Sequence, residues 1–279
     1  MIDPIDIDAV RNSGQGDGFG KTAEDYANHR AGFPQRFFDT LAGFGFLQPG
    51  CAALDIGTGT GTVARGLARA GAEVSAIDPS EALIGQATDL DKAAQVKVSY
   101  QMAKAEDLPF EDATFDLAIA GQCWHWFDRP RAAAELARVL KPGGVGVIAH
   151  FDWLPMPGNV VAATEALIER YNPAWAMGGG TGIYPAWLGD LSTAGFAAVE
   201  TFSFDLVQAY THQAWRGRIR ASAGVAASLH AERVATFDIE LADMLSARFP
   251  GSPLHIPHRV WAVHARKPLA EVDSALPRG

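Results

Sequence analysis

The chain has two cysteines in 279 residues, Cys51 and Cys123, each set in an apolar run. That complement excludes a disulfide framework and predicts two small buried thiols in a reducing compartment. Positive charge is scarce as well: 23 Lys and Arg stand against 32 Asp and Glu, giving a formal net charge of −9. A surface built for polyanions clusters cations against phosphates, so the balance argues against DNA, RNA and anionic membrane surfaces as partners. No apolar run reaches the roughly 18 residues needed to span a bilayer. The opening Met1-Ile2-Asp3-Pro4-Ile5-Asp6 is acidic where a secretory leader is basic, and the expected location is the cytoplasm. Internal repeats, coiled-coil heptads, the Gly-x-Ser-x-Gly elbow and the Lys-Ser/Thr phosphate loop are also missing, which leaves hydrolases and nucleotide triphosphatases without their motifs. His255 and His258 have neither a Glu between them nor a cysteine pair nearby, so no zinc site is expected.

What is present is apolar content of 48%, enough for a substantial core. Residues 1–18 read as a mobile arm rich in Asp, Gly and Asn, and a helix is predicted over 22–29 with Thr22 as its cap. Pro34 opens a second helix carrying Phe37, Phe38 and Leu41. From Cys51 short apolar runs alternate with amphipathic segments, the pattern of a parallel sheet covered on both faces. Strands are predicted at 51–56, 72–77, 96–102, 115–120 and 144–151, with helices at 60–70, 80–88 and 130–140. After residue 151 the rhythm breaks, and Pro155, Pro157, Pro173 and Gly178-Gly179-Gly180 predict a long irregular excursion suited to a substrate lid. Regular signals resume with helices at 186–194, 212–222 and 231–248 and strands at 196–208 and 256–266.

The most informative segment is Ala53-Leu54-Asp55-Ile56-Gly57-Thr58-Gly59-Thr60-Gly61, three glycines at alternate positions between an apolar strand and an Ala-rich helix. Such a turn lets a ligand approach main chain closely. A diphosphate-binding turn places its third glycine three residues after the second, where this chain has Thr62. Asp55 fits poorly beside a diphosphate, yet a carboxylate there can hold a cation directly or through water. Further on, Glu73-Val74-Ser75-Ala76-Ile77 ends in Asp78, where an acid at a strand tip can accept both hydroxyls of a ribose.

The runs LDIGTGTG, VSAIDPS, AKAEDLPF and FDLAIAGQCWHWF together resemble class I S-adenosylmethionine (SAM)-dependent methyltransferases, in particular the small-molecule branch that includes quinone-biosynthesis C-methyltransferases and trans-aconitate-like methyltransferases. The motifs cover residues 53–150, and the general layout extends over about 20–267. The resemblance implies a Rossmann-like α/β fold with a seven-stranded, mostly parallel sheet whose last strand is antiparallel, plus N-terminal helices and a helical or loop lid. It divides the chain into the arm and a single domain over 19–279, with a SAM-binding core at 45–152 and lid segments at 19–44, 153–195 and 209–252. It places Gly57, Thr58 and Gly59 along the methionine part of SAM, Asp78 at the ribose, Pro79 and Ser80 beside the adenosine, and Ala105 and Glu106 at the adenine edge. Many members carry Asp where this chain has Lys104, so the adenine acceptor is either missing or Glu106. Ala120, Gly121 and Gln122 fall where the family offers backbone oxygen to the SAM ammonium, and Tyr26 and Arg30 resemble the pair that covers its carboxylate. S-adenosylhomocysteine would be the product.

Methyl transfer from a sulfonium is an in-line displacement, and the protein's task is mostly to align partners and exclude water. A base matters when the nucleophile keeps a proton at neutral pH. Cys123-Trp124-His125-Trp126-Phe127 follows the fourth strand, and His125 is the first candidate base, its other reading being a backbone-bonded packing residue. His150, with Asp152, ends the fifth strand and is the second catalytic candidate. Trp153, Tyr171, Trp175, Tyr184 and Trp187 punctuate the excursion, and Trp215, Arg216, Arg218 and Arg220 share a predicted helix. Arg216 and Arg220, one turn apart, read as an anion clamp or as a solvated surface pair. The expected partner is a small-molecule acceptor with an O, N or C nucleophile, aromatic and carboxylated metabolites both fitting, in a monomer or homodimer. The alternatives are an NAD-dependent oxidoreductase, which shares sheet, turn and ribose acid, and a SAM-binding protein without transferase activity.

Overall fold

The structure, a computed structural model, describes residues 32–269; the expected arm, the helix at 22–29, Tyr26 and Arg30 lie outside that range. Pro34 precedes α1 (Gln35–Gly43), which buries Phe37, Phe38 and Leu41 at helical spacing. There follow β1 (Ala52–Ile56), α2 (Thr62–Arg69), β2 (Glu73–Asp78), α3 (Glu81–Ala94), β3 (Val98–Met102) and β4 (Phe115–Gly121). A single 3-10 turn at Trp124–Trp126 leads into α4 (Arg129–Val139) and β5 (Leu140–Trp153). The remainder is α5 (Val160–Tyr171), α6 (Ala186–Thr193), β6 (Ala197–Tyr210), α7 (His212–Arg220), α8 (Ala231–Arg248) and β7 (Leu254–Arg266).

The strands form one sheet in the order β3-β2-β1-β4-β5-β7-β6. Neighbours from β3 to β5 pair in parallel, while β7 runs antiparallel to both β5 and β6. This is the Rossmann-like α/β architecture expected from the sequence, with its antiparallel last strand. Successive residues of the inner strands bury to opposite faces: Leu54, Ile56, Ala118 and Ile148 pack with Leu136 of α4 and Leu191 of α6. Ala53, Leu117, Ile119 and Val147 pack with Leu41 of α1 and Leu67 of α2. Strands buried on both faces are continuous apolar runs, and that is why their positions were readable. Strand order reverses between β1 and β4, so the crevice at their carboxyl ends is where an open α/β sheet binds its ligand.

The excursion after residue 151 is more regular than expected, because α5 lies inside it. Asn159 caps that helix by accepting the Ala162 N–H at 2.9 Å. Its apolar stripe is interrupted by Thr164 and Glu165, both buried, and this hid the helical period. α5 packs with α7 and α8 around Ile168, Trp215, Phe237, Leu241 and the Ile256 end of β7 in a third cluster. Among the described residues no helix is long and apolar enough to cross a membrane.

Candidate functional site

β1 leaves the sheet at Ile56 and turns through Gly57, Gly59 and Gly61 at φ 67°, 56° and 77°, a left-handed path that side chains with a Cβ resist. Gly61 is needed for packing too. A Cβ there would fall 2.5 Å from Tyr100 Oη, and one at Gly57 would fall 2.9 Å from Cys123 Sγ. The turn's amides are largely committed within the fold: Thr58 N–H donates to Ile77 O and Gly61 N–H to Thr58 O, each at 2.9 Å. Gly59 N–H donates to Asp78 Oδ2 at 2.9 Å.

Asp55 closes the first turn of α2. Its Oδ2 accepts the Ala64 N–H at 3.0 Å and the Thr58 Oγ1–H at 2.6 Å. The negative pole that a helix N-terminus attracts is thus a side chain of the protein itself. Burial pushes the Asp55 carboxyl up to about 7, opposed by those two hydrogen bonds and Arg65 and reinforced by Asp78. Asp78 ends β2 with Oδ1 accepting the Ser80 N–H at 2.9 Å. Burial raises its pKa, and the bonds from Ser80 and Gly59 oppose the rise. Each Asp78 oxygen keeps a second lone pair, which suits it to accept two neighbouring hydroxyls.

These groups open on a cavity of about 840 Å³, also lined by Gly57, Thr58, Gly59, Pro79, Ser80, Ala105, Glu106 and Gln122. Ala120, expected beside them, is buried in the sheet core, and the cavity wall at that strand end is Gly121 and Gln122 instead. Glu106 reaches the cavity with Oε1 bonded to the Asp128 N–H at 2.6 Å. Phe33, Leu83, Asp128 and Arg131 also line it and were not singled out from the sequence. For Asp128 a signal existed: it precedes Arg129-Pro130 as the cap of α4, accepting the Arg131 N–H at 3.4 Å.

The donor set fits SAM and not a dinucleotide. A dinucleotide requires its diphosphate at the start of α2, and there Asp55 already takes the helix amide and would repel phosphate. SAM would offer an ammonium to the Asp55 carboxylate, ribose hydroxyls to Asp78 and an adenine to the apolar wall at Ile77, Leu83 and Ala105, and all of these residues line the cavity.

A second, smaller cavity of about 130 Å³ shares Gln122 and Trp126 with the first. Gln122 sits at the junction with φ 61°, a strained conformation for a residue with a Cβ. Its N–H is held by Ala149 O at 2.8 Å, and its side-chain amide bonds Phe151 O. Both candidate histidines line this cavity, together with Asp152, Trp153, Trp175, Tyr184 and Arg218. His125 Nδ1 lies 3.3 Å from His150 Nε2, and His150 Nδ1 lies 3.2 Å from Asp152 Oδ2. Tyr184 donates its hydroxyl to Asp152 Oδ2 at 2.7 Å and stacks on Trp187 at 4.1 Å. Burial favours the neutral Asp152, yet the charge and hydrogen bond of His150, with the Tyr184 bond and His125, hold its carboxyl below the ordinary range. Glu165 was missed from the sequence. It lines the cavity and accepts from Trp153 Nε1 at 2.7 Å and Gly179 N–H at 2.8 Å, and its signal was an acid between Val161 and Ile168 on the apolar face of α5. Arg218 lies over the Trp153 ring at 4.7 Å. Tyr171 points elsewhere, to Glu240, and Trp215 is core. Arg216 and Arg220 are no anion clamp: both grip Asp238 of α8.

Residues 54–148 match a family described as a methyltransferase domain. Within this segment, about a third of the chain, the sequence is similar to that methyltransferase family. Over 151 residues the chain is 35% identical to an uncharacterized methyltransferase of Mycobacterium bovis, covering 51% of this chain and 58% of that protein. Over 138 residues it is 36% identical to the 27-O-demethylrifamycin SV methyltransferase of Amycolatopsis mediterranei, covering 48% of this chain and 51% of that protein. The chain thus spans between half and three-fifths of the length of these curated relatives. Among solved structures, a putative type II methyltransferase from Anaeromyxobacter dehalogenans aligns over 86% of this chain and 99% of its own, at 28% identity and a TM-score of 0.62.

Proposed function

We propose that the protein transfers a methyl group from SAM to a small-molecule acceptor, with the large cavity holding the donor and the small one the acceptor. The observation that carries this reading is Asp55 at the start of α2: it occupies the anion position that a dinucleotide needs and offers a carboxylate to a cationic ligand. When bound, SAM supplies an electrophilic methyl group on a sulfonium, which leaves as a neutral thioether. The protein's own contribution is placement. Asp78 holds the ribose, Gly57–Gly59 lie along the methionine chain, Ala105 and Glu106 border the adenine, and Gln122 with Trp126 separates donor from acceptor. The aromatic walls of the small cavity keep water from the reacting atoms. His125 is the base, with His150 behind it.

The test is transfer of labelled methyl from SAM into a library of small hydroxylated, carboxylated and amino compounds. Wild-type protein is expected to label at least one class, and Asp78→Ala to lose labelling through weakened donor binding, by about fivefold to 150-fold if about 1–3 kcal/mol of hydrogen bonding is removed. Equal labelling by both proteins would contradict the assignment of Asp78.

A further inference from the structure

The small cavity contains an ordered series of groups: Asp152, His150, His125. Hydrogen-bond directions along it are not independent. Asp152 is ionised, so it can only accept, and it takes the Tyr184 hydroxyl on Oδ2. His150 then presents an N–H from Nδ1 whether its ring is charged or neutral, and the neutral ring from which the relay starts has Nε2 as its acceptor. His150 Nε2 faces His125 Nδ1 at 3.3 Å, so His125 carries its proton on Nδ1 and its lone pair on Nε2. The carboxylate therefore sets the tautomer of a ring two residues removed along the series. His150 has little freedom to turn away. It is 4% exposed and packs against the stacked pair Tyr184 and Trp187, at 4.6 Å and 4.9 Å from their rings.

We propose that Asp152 and Tyr184 are positioning residues that hold His150 and His125 as a two-histidine proton relay, so that this cavity serves acceptors that lose a proton from oxygen as they are methylated. The inference rests on the transferase reading above and deepens it. In the step, the acceptor O–H bond breaks and its proton goes to His125 Nε2, while the oxygen's electron pair forms the bond to the methyl carbon and the sulfonium leaves as a thioether. The His125 Nδ1 proton passes to His150 Nε2, and the positive charge comes to rest on His150 beside the Asp152 carboxylate. A thiolate or a tertiary amine would have no use for such a series, because neither delivers a proton. The size agrees: about 130 Å³ walled by Trp126, Trp153, Trp175 and Tyr184 is close to the roughly 150 Å³ of a cavity that admits benzene, so the reacting part of the acceptor is a single ring or smaller.

Replacing the carboxylate by an amide tests this without knowing the natural acceptor. In Asp152→Asn the side-chain oxygen can still accept from Tyr184, but its NH2 now donates toward His150 Nδ1. The NH2 takes the place of Oδ1, 3.3 Å from His150 Nδ1, and opposes an N–H there even though the amide oxygen stays 3.2 Å away, so His150 is expected to shift its proton to Nε2 and His125 to shift its own to Nε2 as well. Ring-nitrogen NMR of labelled protein saturated with S-adenosylhomocysteine should show both wild-type rings protonated on Nδ1, and both Asp152→Asn rings protonated on Nε2. Tyr184→Phe, which keeps the carboxylate, should retain the wild-type tautomers, and His150→Phe, which removes the acceptor of the His125 Nδ1 proton and should move that proton to Nε2, serves if Asp152→Asn does not fold. In the same samples 4-nitrophenol is the probe of proton acceptance. Wild type should bind it as the coloured phenolate, and Asp152→Asn should lose that band by tenfold or more. Wild-type rings protonated on Nε2, tautomers unmoved by Asp152→Asn, or 4-nitrophenol unbound or bound only as the neutral phenol by wild type would overturn the relay. Saturation by S-adenosylhomocysteine reports the donor reading separately, so a failed relay and a failed transferase reading give different results.

Discussion

Asp55 is an acid buried to 1% exposure with a carboxyl pushed up to about 7, and desolvation is the main cause. A cationic ligand amine beside it would favour the charged form and draw the pKa down again. Binding of S-adenosylhomocysteine, which keeps the amine, must then release a proton whenever the pH lies below the free-protein value. Its affinity should weaken on acidification below about pH 7, by at most about tenfold per pH unit, and stay flat above. Asp55→Asn should show weaker binding with that slope removed. Calorimetric titration between about pH 5.5 and pH 8 measures it, and a flat wild-type profile would separate Asp55 from the ligand's charge. Legibility at this scale was uneven. Asp55, Asp78 and the glycines were readable because strand, turn, helix and acid follow one another in the chain. Gly61, whose spacing separated SAM from a dinucleotide in the sequence, does not line the cavity; Tyr100 and Arg65 press on it from the protein side.

At the scale of elements, α7, whose Arg218 lines the small cavity, is tied to α8 by charge as well as by packing. Asp238 of α8 accepts from Arg216 and from Arg220 of α7, the latter at 3.0 Å, with its own side chain 17% exposed. Removing the shared carboxylate leaves two guanidiniums facing each other one turn apart. Asp238→Ala should lower unfolding stability by about 1–3 kcal/mol, read as a drop of several degrees in the thermal midpoint, with S-adenosylhomocysteine affinity unchanged. Loss of donor affinity at unaltered stability would instead connect α8 to the large cavity. The sequence showed Arg216 and Arg220 on one helix face but could not show Asp238, eighteen residues and one helix away. α5 was missed for a related reason: its buried Glu165 is satisfied by Trp153 and Gly179, partners that only the fold supplies. Strands and helices of the parallel sheet were legible because each buries a continuous apolar run or stripe.

For the whole molecule, the pH response is set by buried histidines as well as acids. His258 on β7 is 2% exposed, and burial pushes its pKa down to about 4, the Nδ1–H bond to Ile256 O at 3.0 Å working against the shift and Arg218 with it. Between about pH 6.5 and pH 4 the unfolded chain takes up a proton at His258 that the folded chain refuses, which lowers stability as pH drops, while Asp55, raised to about 7, takes up a proton in the folded chain first and works in the opposite direction. The His258 shift corresponds to about 3 kcal/mol, fully present above pH 6.5. His264, also lowered by burial, adds in the same direction. In denaturant titrations His258→Gln should gain stability relative to wild type as the pH drops across the window; a difference that does not change with pH would place the lability in other groups.

The account as a whole depends on one ligand choice. Purified protein titrated calorimetrically with S-adenosylhomocysteine and, separately, with NAD decides it. The arrangement of Asp55 at the start of α2 and Asp78 at the tip of β2 predicts saturable one-to-one binding of S-adenosylhomocysteine and no measurable heat with NAD. Tight NAD binding with no response to S-adenosylhomocysteine would contradict it.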